Sequence, residues 1–284
     1  MGAQNPDNSP NLDEICEILV DLAYRAGDII TSALPGTDNT GSKKNSADLV
    51  TEYDRAVEEM ISRALTDKYP DYQFHGEETY DPAQPLTNAP TFIIDPIDGT
   101  VNFVHGFPHA CVSLGFAVNR VPTVGVVFNP FTRTLYSAVR GKGAFVNRDN
   151  RLPLKGTNVE LPGGLINSLI SVEWGSERTG KNWETKIRTR AMVRSMRSIG
   201  SAALNLCAVA AGALDLSWEG GCWEWAGWII LEEAGGMMVG GNPGEWETEI
   251  DGRKYLAIRA ATCRSNQKEL VEEFWNIIQG RLEY

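Results

Sequence analysis

The chain has 284 residues, 42% hydrophobic and 22% charged, a size and balance that suit one large α/β domain or two small ones sharing a core. Its formal net charge of −11 argues against nucleic-acid binding through a broad basic surface. No run of about 18 apolar residues reads as a membrane span. The polar stretch 1–10 lacks the basic start and apolar core of a secretory signal, so a cytoplasmic protein is expected. The five cysteines are scattered and odd in number, which reads as reduced, mostly buried thiols. The three histidines are scattered too, and make no zinc pattern.

A first helix is predicted over 11–34, where Ile15, Leu19, Leu22, Ala26, Ile29 and Ile30 recur near helical spacing. Pro35-Gly36 ends it, and the polar residues 37–46 read as a loop. A second helix, 53–68, carries Val57, Met60, Ile61, Ala64 and Leu65 on one face, and Pro70 stops it. Short strands are expected at 72–74 and 91–95. Four β-rich runs follow, at 111–118, 123–128, 134–139 and 144–146, separated by Asn129-Pro130 and Gly141-Lys142-Gly143, which suggests an antiparallel meander. A strand at 169–172, helices at 183–193 and 201–211, a strand at 214–218, a helix ending at Gly235-Gly236 and a last helix at 266–278 complete the chain. No repeat or long linker interrupts it.

The segment Phe92-Ile93-Ile94-Asp95-Pro96-Ile97-Asp98-Gly99-Thr100 carries the chemistry. An apolar strand ends on a carboxylate, and Pro96 cannot continue a central ladder, so a turn is expected there. Asp98-Gly99-Thr100 then opens a helix. Carboxylates beside a helix N-terminus suit a cation with a bound phosphate. The plainer reading of Asp and Thr at such a place is a turn and a helix cap. Two further acidic segments shift the balance: Glu77 and Glu78 after the strand at 72–74, and Asp54 at the start of the second helix. Taken singly, each is more often a cap or a solvated charge.

From Phe92 to His105, through Asn102-Phe103-Val104-His105, the chain resembles the first signature of the inositol monophosphatase family. Residues 47–54 and Gly76-Glu77-Glu78 resemble the two preceding blocks, residues 125–147 the central hairpins, and residues 197–203 the pocket segment. The wording around 239–244 is most like fungal members, including those associated with quinate catabolism. The resemblance spans about residues 11–280. It implies a single domain over 1–284, with a metal-binding half at about 11–150 and a second half at about 151–284. The implied fold is an α/β (α+β) layered sandwich, with a larger antiparallel sheet and a smaller mixed sheet between helix layers.

By the same resemblance, the chain is a phosphomonoesterase that uses two or three Mg²⁺ ions on inositol monophosphate or another small polyol phosphate. Glu77, Asp95 and the Ile97 carbonyl would hold one ion, and Asp98 would join Asp95 on a second. Thr100, oriented by Asp54, would help Glu77 position the attacking water. Gly99 and Thr100 N–H groups would contact phosphate. Ser176, Ser201, Ala202 and Glu219 would contact or line the substrate pocket, and Lys43 would supply a basic group near the metals. Lithium sensitivity and a homodimer are usual in the family. Fructose-1,6-bisphosphate and bisphosphonucleotide phosphatases of the same superfamily are the alternative enzymes.

One signature departs from the family. Its second block normally reads Trp-Asp, then small residues and an apolar helix running to Gly-Gly. Here Trp225 is followed directly by Ala226-Gly227-Trp228, so the Asp and the two residues after it are absent. Three residues make nearly one helical turn of about 3.6, so the helix can lose its first turn and keep its apolar face nearly in register. The missing Asp normally binds metal and touches the substrate hydroxyl beside the scissile phosphate. A catalytically impaired member with a regulatory or binding role is therefore the second reading. Glu224 is a possible substitute ligand, though solvation is the expectation for a charge at a helix start.

Overall fold

Helix α1 (Leu12–Ser32) starts where Asn11 accepts the Glu14 N–H at 3.3 Å, and it buries Ile15, Leu19, Leu22, Ala26 and Ile30. These coordinates are a computed structural model describing residues 9–33, 40–42, 49–81, 83, 85–156, 158–174, 180–222 and 224–282, with backbone only for 40–42, 49–50 and 180–183. Part of the expected polar loop is a strand: β1 (Thr40–Ser42) pairs antiparallel with β2 (Leu49–Thr51). Helix α2 (Glu52–Lys68) follows at once, closed by a capping box between Thr51 and Asp54.

The larger sheet has seven strands in chain order. They are β3 (Gln73–Gly76), β4 (Thr91–Asp98), β5 (Cys111–Val118), β6 (Val121–Asn129), β7 (Thr134–Val139), β8 (Gly143–Val146) and β9 (Asn150–Arg151). Only the β3–β4 pair is parallel; the remainder is the expected meander. The first part of β4, Phe92-Ile93-Ile94, is a continuous apolar run because both of its faces are covered. The turn expected at Pro96 is instead a bulge. Asp95 pairs with Ser113 and Asp98 with Cys111, so β4 carries one residue more than β5 between the same two rungs. Proline is tolerated there because the irregular pairing needs no N–H from it. Helix α3 (Thr100–Val104) begins directly after the bulge.

The smaller sheet is mixed. It contains β10 (Leu169–Val172), β11 (Ser195–Arg197), β12 (Leu216–Gly220), β13 (Met237–Gly240) and β14 (Lys254–Ile258), in the order β11-β10-β12-β14-β13. The later helices are α4 (Gly180–Met192), α5 (Ala202–Ala210), α6 (Trp225–Glu233) and α7 (Arg264–Trp275). Three buried clusters define the layers. Helices α1 and α2 pack with Phe92, Val112, Phe116 and Val126 on one face of the large sheet. Helices α5 and α6 fill the space between the sheets, touching Ile93 and Val127 on one side and Tyr255 and Ala257 on the other. Helix α7 covers the outer face of the small sheet through Leu270, Val271 and Phe274. No helix among the described residues is long and apolar enough to cross a membrane.

Candidate active site

The β4 bulge points its two carboxylates toward the N-termini of α5 and α6. Asp95, Asp98 and Glu224 each bring an oxygen into one cluster, all within 4.8 Å of one another. Among the described residues, Asp95 Oδ1 and Glu224 Oε2 are buried and have no hydrogen-bond partner. The side chain of Glu77, carried past the end of β3 by its N–H bond to the Ile94 carbonyl at 2.9 Å, hydrogen-bonds that of Asp95. Burial first, then the charges of Glu77, Asp98 and Glu224, push the Asp95 carboxyl well above the usual range. The Glu224 carboxyl is likewise raised, by burial and then by Asp98, Glu219 and Glu77. Crowded carboxylates with bare oxygens fit a hard divalent cation, which supplies the missing coordination and cancels the repulsion. The donor set thus fits a divalent metal ion.

Asp98 is held from the opposite side. Ser201, the N-cap of α5, donates its hydroxyl to Asp98 Oδ2, the Ala203 N–H donates to the same oxygen at 2.9 Å, and the Ala202 N–H reaches Oδ1 at 3.2 Å. Burial raises this carboxyl to about 6, against those hydrogen bonds. Ser201 is 1% exposed and Ala202 5%. The structure places both against the Asp98 carboxylate at the start of α5. The capping preference of Ser was legible in the sequence; that it would serve a carboxylate over a hundred residues earlier was not.

Asp54 serves two partners with two oxygens. Oδ2 accepts the Thr51 N–H at 2.8 Å and the Thr51 hydroxyl, closing the capping box. Oδ1 lies 3.4 Å from the Thr100 hydroxyl, which also donates to the Ile97 carbonyl at 3.0 Å. The cap reading of Asp54 is realised, and its other oxygen faces Thr100. Burial lifts it to about 6, against the Thr51 bonds.

Gly99 sits at φ +89°, and a Cβ there would come within 2.9 Å of both the Gly200 and His109 carbonyls, so no other residue fits this corner. Asn102 fastens the same corner through its amide, which donates to His109 O at 2.7 Å and Ile199 O at 2.6 Å. Sequence reasoning missed Glu173. Its Oε1 accepts the Ile199 N–H at 2.7 Å and the Asn205 amide at 2.8 Å, and its Oε2 accepts the Ser198 hydroxyl at 3.0 Å. An acid directly after the apolar run 169–172 was the available signal. Glu219 is half-buried on β12 beside Glu173, and burial and that neighbour raise its carboxyl strongly. Lys43 and Ser176 lie outside the described residues.

Glu224 contradicts the expectation of solvation. It is 2% exposed, at the N-cap of a helix that starts at Trp225. Packing fixes it there. Trp225 and Ala226 rest on Gly115 of β5, and Ala226 and Ile229 on Gly125 of β6, where a Cβ would come within 2.5 Å of both.

The raised carboxyls set a pH dependence for metal-free protein. Asp54 and Asp98, at about 6 when folded against 3.8 unperturbed, hold more protons folded than unfolded between those values. Their contribution to stability is full below the unfolded value and is lost as pH rises through the folded one. Chelator-treated protein should therefore melt lower at about pH 7.5 than at about pH 5.5, and Mg²⁺ should reverse the difference. A melting temperature that is flat or rising across that range contradicts the burial of these groups.

A layered α/β sandwich with acidic side chains gathered at a strand end defines the class of fold and site. The model of the inositol monophosphatase family matches residues 11–279. The chain is 46% identical over 290 residues to "Inositol monophosphatase 2" of Saccharomyces cerevisiae, covering 96% of this chain and 98% of that one. It is 35% identical to "Quinic acid degradation cluster protein x" of Neurospora crassa, covering 96% of each. Among solved structures, the Thermotoga maritima IMPase superposes with a TM-score of 0.77 at 28% identity, covering 93% of this chain and 99% of that one. The chain belongs to the inositol monophosphatase family, a family of phosphatases that generally depend on metal ions.

Proposed function

We propose that the protein is a Mg²⁺-dependent phosphomonoesterase acting on inositol monophosphate or a similar small polyol phosphate. The observation that carries this reading is the pair of buried, unpartnered oxygens on Asp95 and Glu224 beside Asp98. Family membership supports the reaction type. Glu77, Asp95, Asp98 and the Ile97 carbonyl would hold the cations. When bound, these supply charge neutralisation for the phosphoryl group and acidify water.

The chain's own groups do the rest. Gly99 and Thr100 N–H groups, at the start of α3, offer donors to phosphate oxygens. The Thr100 hydroxyl, between Ile97 O and Asp54 Oδ1, orients the attacking water and passes its proton toward Asp54. The raised Asp54 carboxyl is suited to accept it near neutral pH. Glu77, across from Asp95, positions the same water. Thr100→Val keeps the shape and removes the hydroxyl. It should lower kcat about 10²-fold with KM nearly unchanged, and an unchanged kcat removes Thr100 from the proton path.

A second reading, a member that binds ligand without turnover, is favoured by the absence of Asp after Trp225. Phosphate release from inositol 1-phosphate, with and without Mg²⁺, separates the two. Turnover above an Asp95→Asn control supports the enzyme. Ligand binding with no turnover above that control supports the alternative.

A further inference from the structure

We propose that Glu224 is a ligand of this metal centre and takes the place of the aspartate missing after Trp225, an inference that rests on the metal-dependent reading above. The deletion removes about one turn from the start of the helix. As a result Glu224, which would otherwise precede the helix by a turn, becomes its N-cap. A Glu at an N-cap can bend back to accept an N–H of its own first turn. Glu224 makes no such bond. Its carboxylate instead enters the group formed by Asp95 and Asp98, with Oε2 buried and unpartnered.

The burial is imposed by backbone packing. Glycines 115 and 125 let the first turn of α6 sit directly on β5 and β6, and Gly227 of α6 lies against Leu206 of α5. The helix cannot lift to release Glu224 to solvent without opening that contact. A buried carboxylate with a bare oxygen, set beside two others, carries a desolvation and repulsion cost that no group among the described residues offsets. A divalent cation offsets it. The longer side chain of Glu compensates for a backbone that begins its helix one turn late.

The test measures Mg²⁺ binding by calorimetry, and the Mg²⁺-induced rise in melting temperature, on the full chain and its variants. Glu224→Gln, equal in size, should raise the Mg²⁺ Kd about tenfold or more, or remove one ion from the stoichiometry. Its metal-free form should melt no lower than wild type, because a repelling charge has gone. In a chain with Asp-Ala-Ala inserted after Trp225, the same E224Q change should be nearly silent. Wild-type affinity and stoichiometry in E224Q, with binding weakened in D95N, overturn the role of Glu224 and leave the metal reading standing. An equal loss in the inserted chain overturns the replacement. Folded wild type that binds no Mg²⁺ overturns both readings.

Discussion

Asp95→Asn should abolish Mg²⁺-dependent phosphate release and leave the protein folded. Asp95 stands at the centre of the site: it hydrogen-bonds Glu77, lies within 4.8 Å of Asp98 and Glu224, and keeps one oxygen bare. A cation held there is worth several kcal/mol to a phosphoryl transition state, so its loss is about 10³-fold or more in kcat/KM. The amide of Asn replaces a carboxyl whose charged form is disfavoured by burial and by like-charged neighbours. Metal-free D95N should therefore melt at or above metal-free wild type near neutral pH, while its gain on adding Mg²⁺ falls. The two readouts move in opposite directions. A purely structural role for Asp95 would lower both, and activity retained in D95N would remove the cluster from catalysis.

Gly125→Ala is the second large effect, and it acts on the fold first. The added Cβ would come within 2.5 Å of the Ala226 carbonyl and of Ile229, and within 2.9 Å of the Ala226 Cα. Backbone is among these neighbours, so a rotamer change cannot relieve the clash and α6 must move off the large sheet. Overpacking of this kind costs about 2–4 kcal/mol. For a chain of this size that is a fall in melting temperature of roughly 3–7 °C. Because α6 carries Glu224 at its first residue boundary, Mg²⁺ affinity should fall with stability. Gly141→Ala, where a Cβ meets nothing within 4 Å, is the control for the substitution itself, although its φ of +80° carries its own strain. A G125A protein as stable as wild type would contradict the packing of α6 on β6.

Much of the fold was legible because its elements repeat their periods plainly. The helix at Leu12–Ser32 and the strands at Cys111–Val118, Thr134–Val139 and Leu169–Val172 appear where apolar spacing and turn residues place them. Residues with local signals were also readable: Asp54 as a cap, and Asp95 and Asp98 at a strand end. The strand Thr40–Ser42 was hidden in a polar stretch because its partner, Leu49–Thr51, supplies the pairing. At Pro96 the chain bulges and does not turn, since β5 continues alongside and only the register shifts.

The sequence by itself determined the family, the main helices, the meander of the larger sheet, the acidic residues at the strand end and the absence of an Asp after Trp225, but not the small-sheet strands Ser195–Arg197, Met237–Gly240 and Lys254–Ile258. Those properties are local: a period, a cap or a motif needs only neighbours along the chain. The tertiary structure alone decided where the remaining groups point. Ser201 serves Asp98, Glu173 anchors Ile199 and Asn205, and Glu224 is buried beside Asp95. Each depends on two elements distant in sequence being packed in one particular depth and register. For Glu224, glycines on β5 and β6 set that depth, and no spacing within residues 220–228 encodes it.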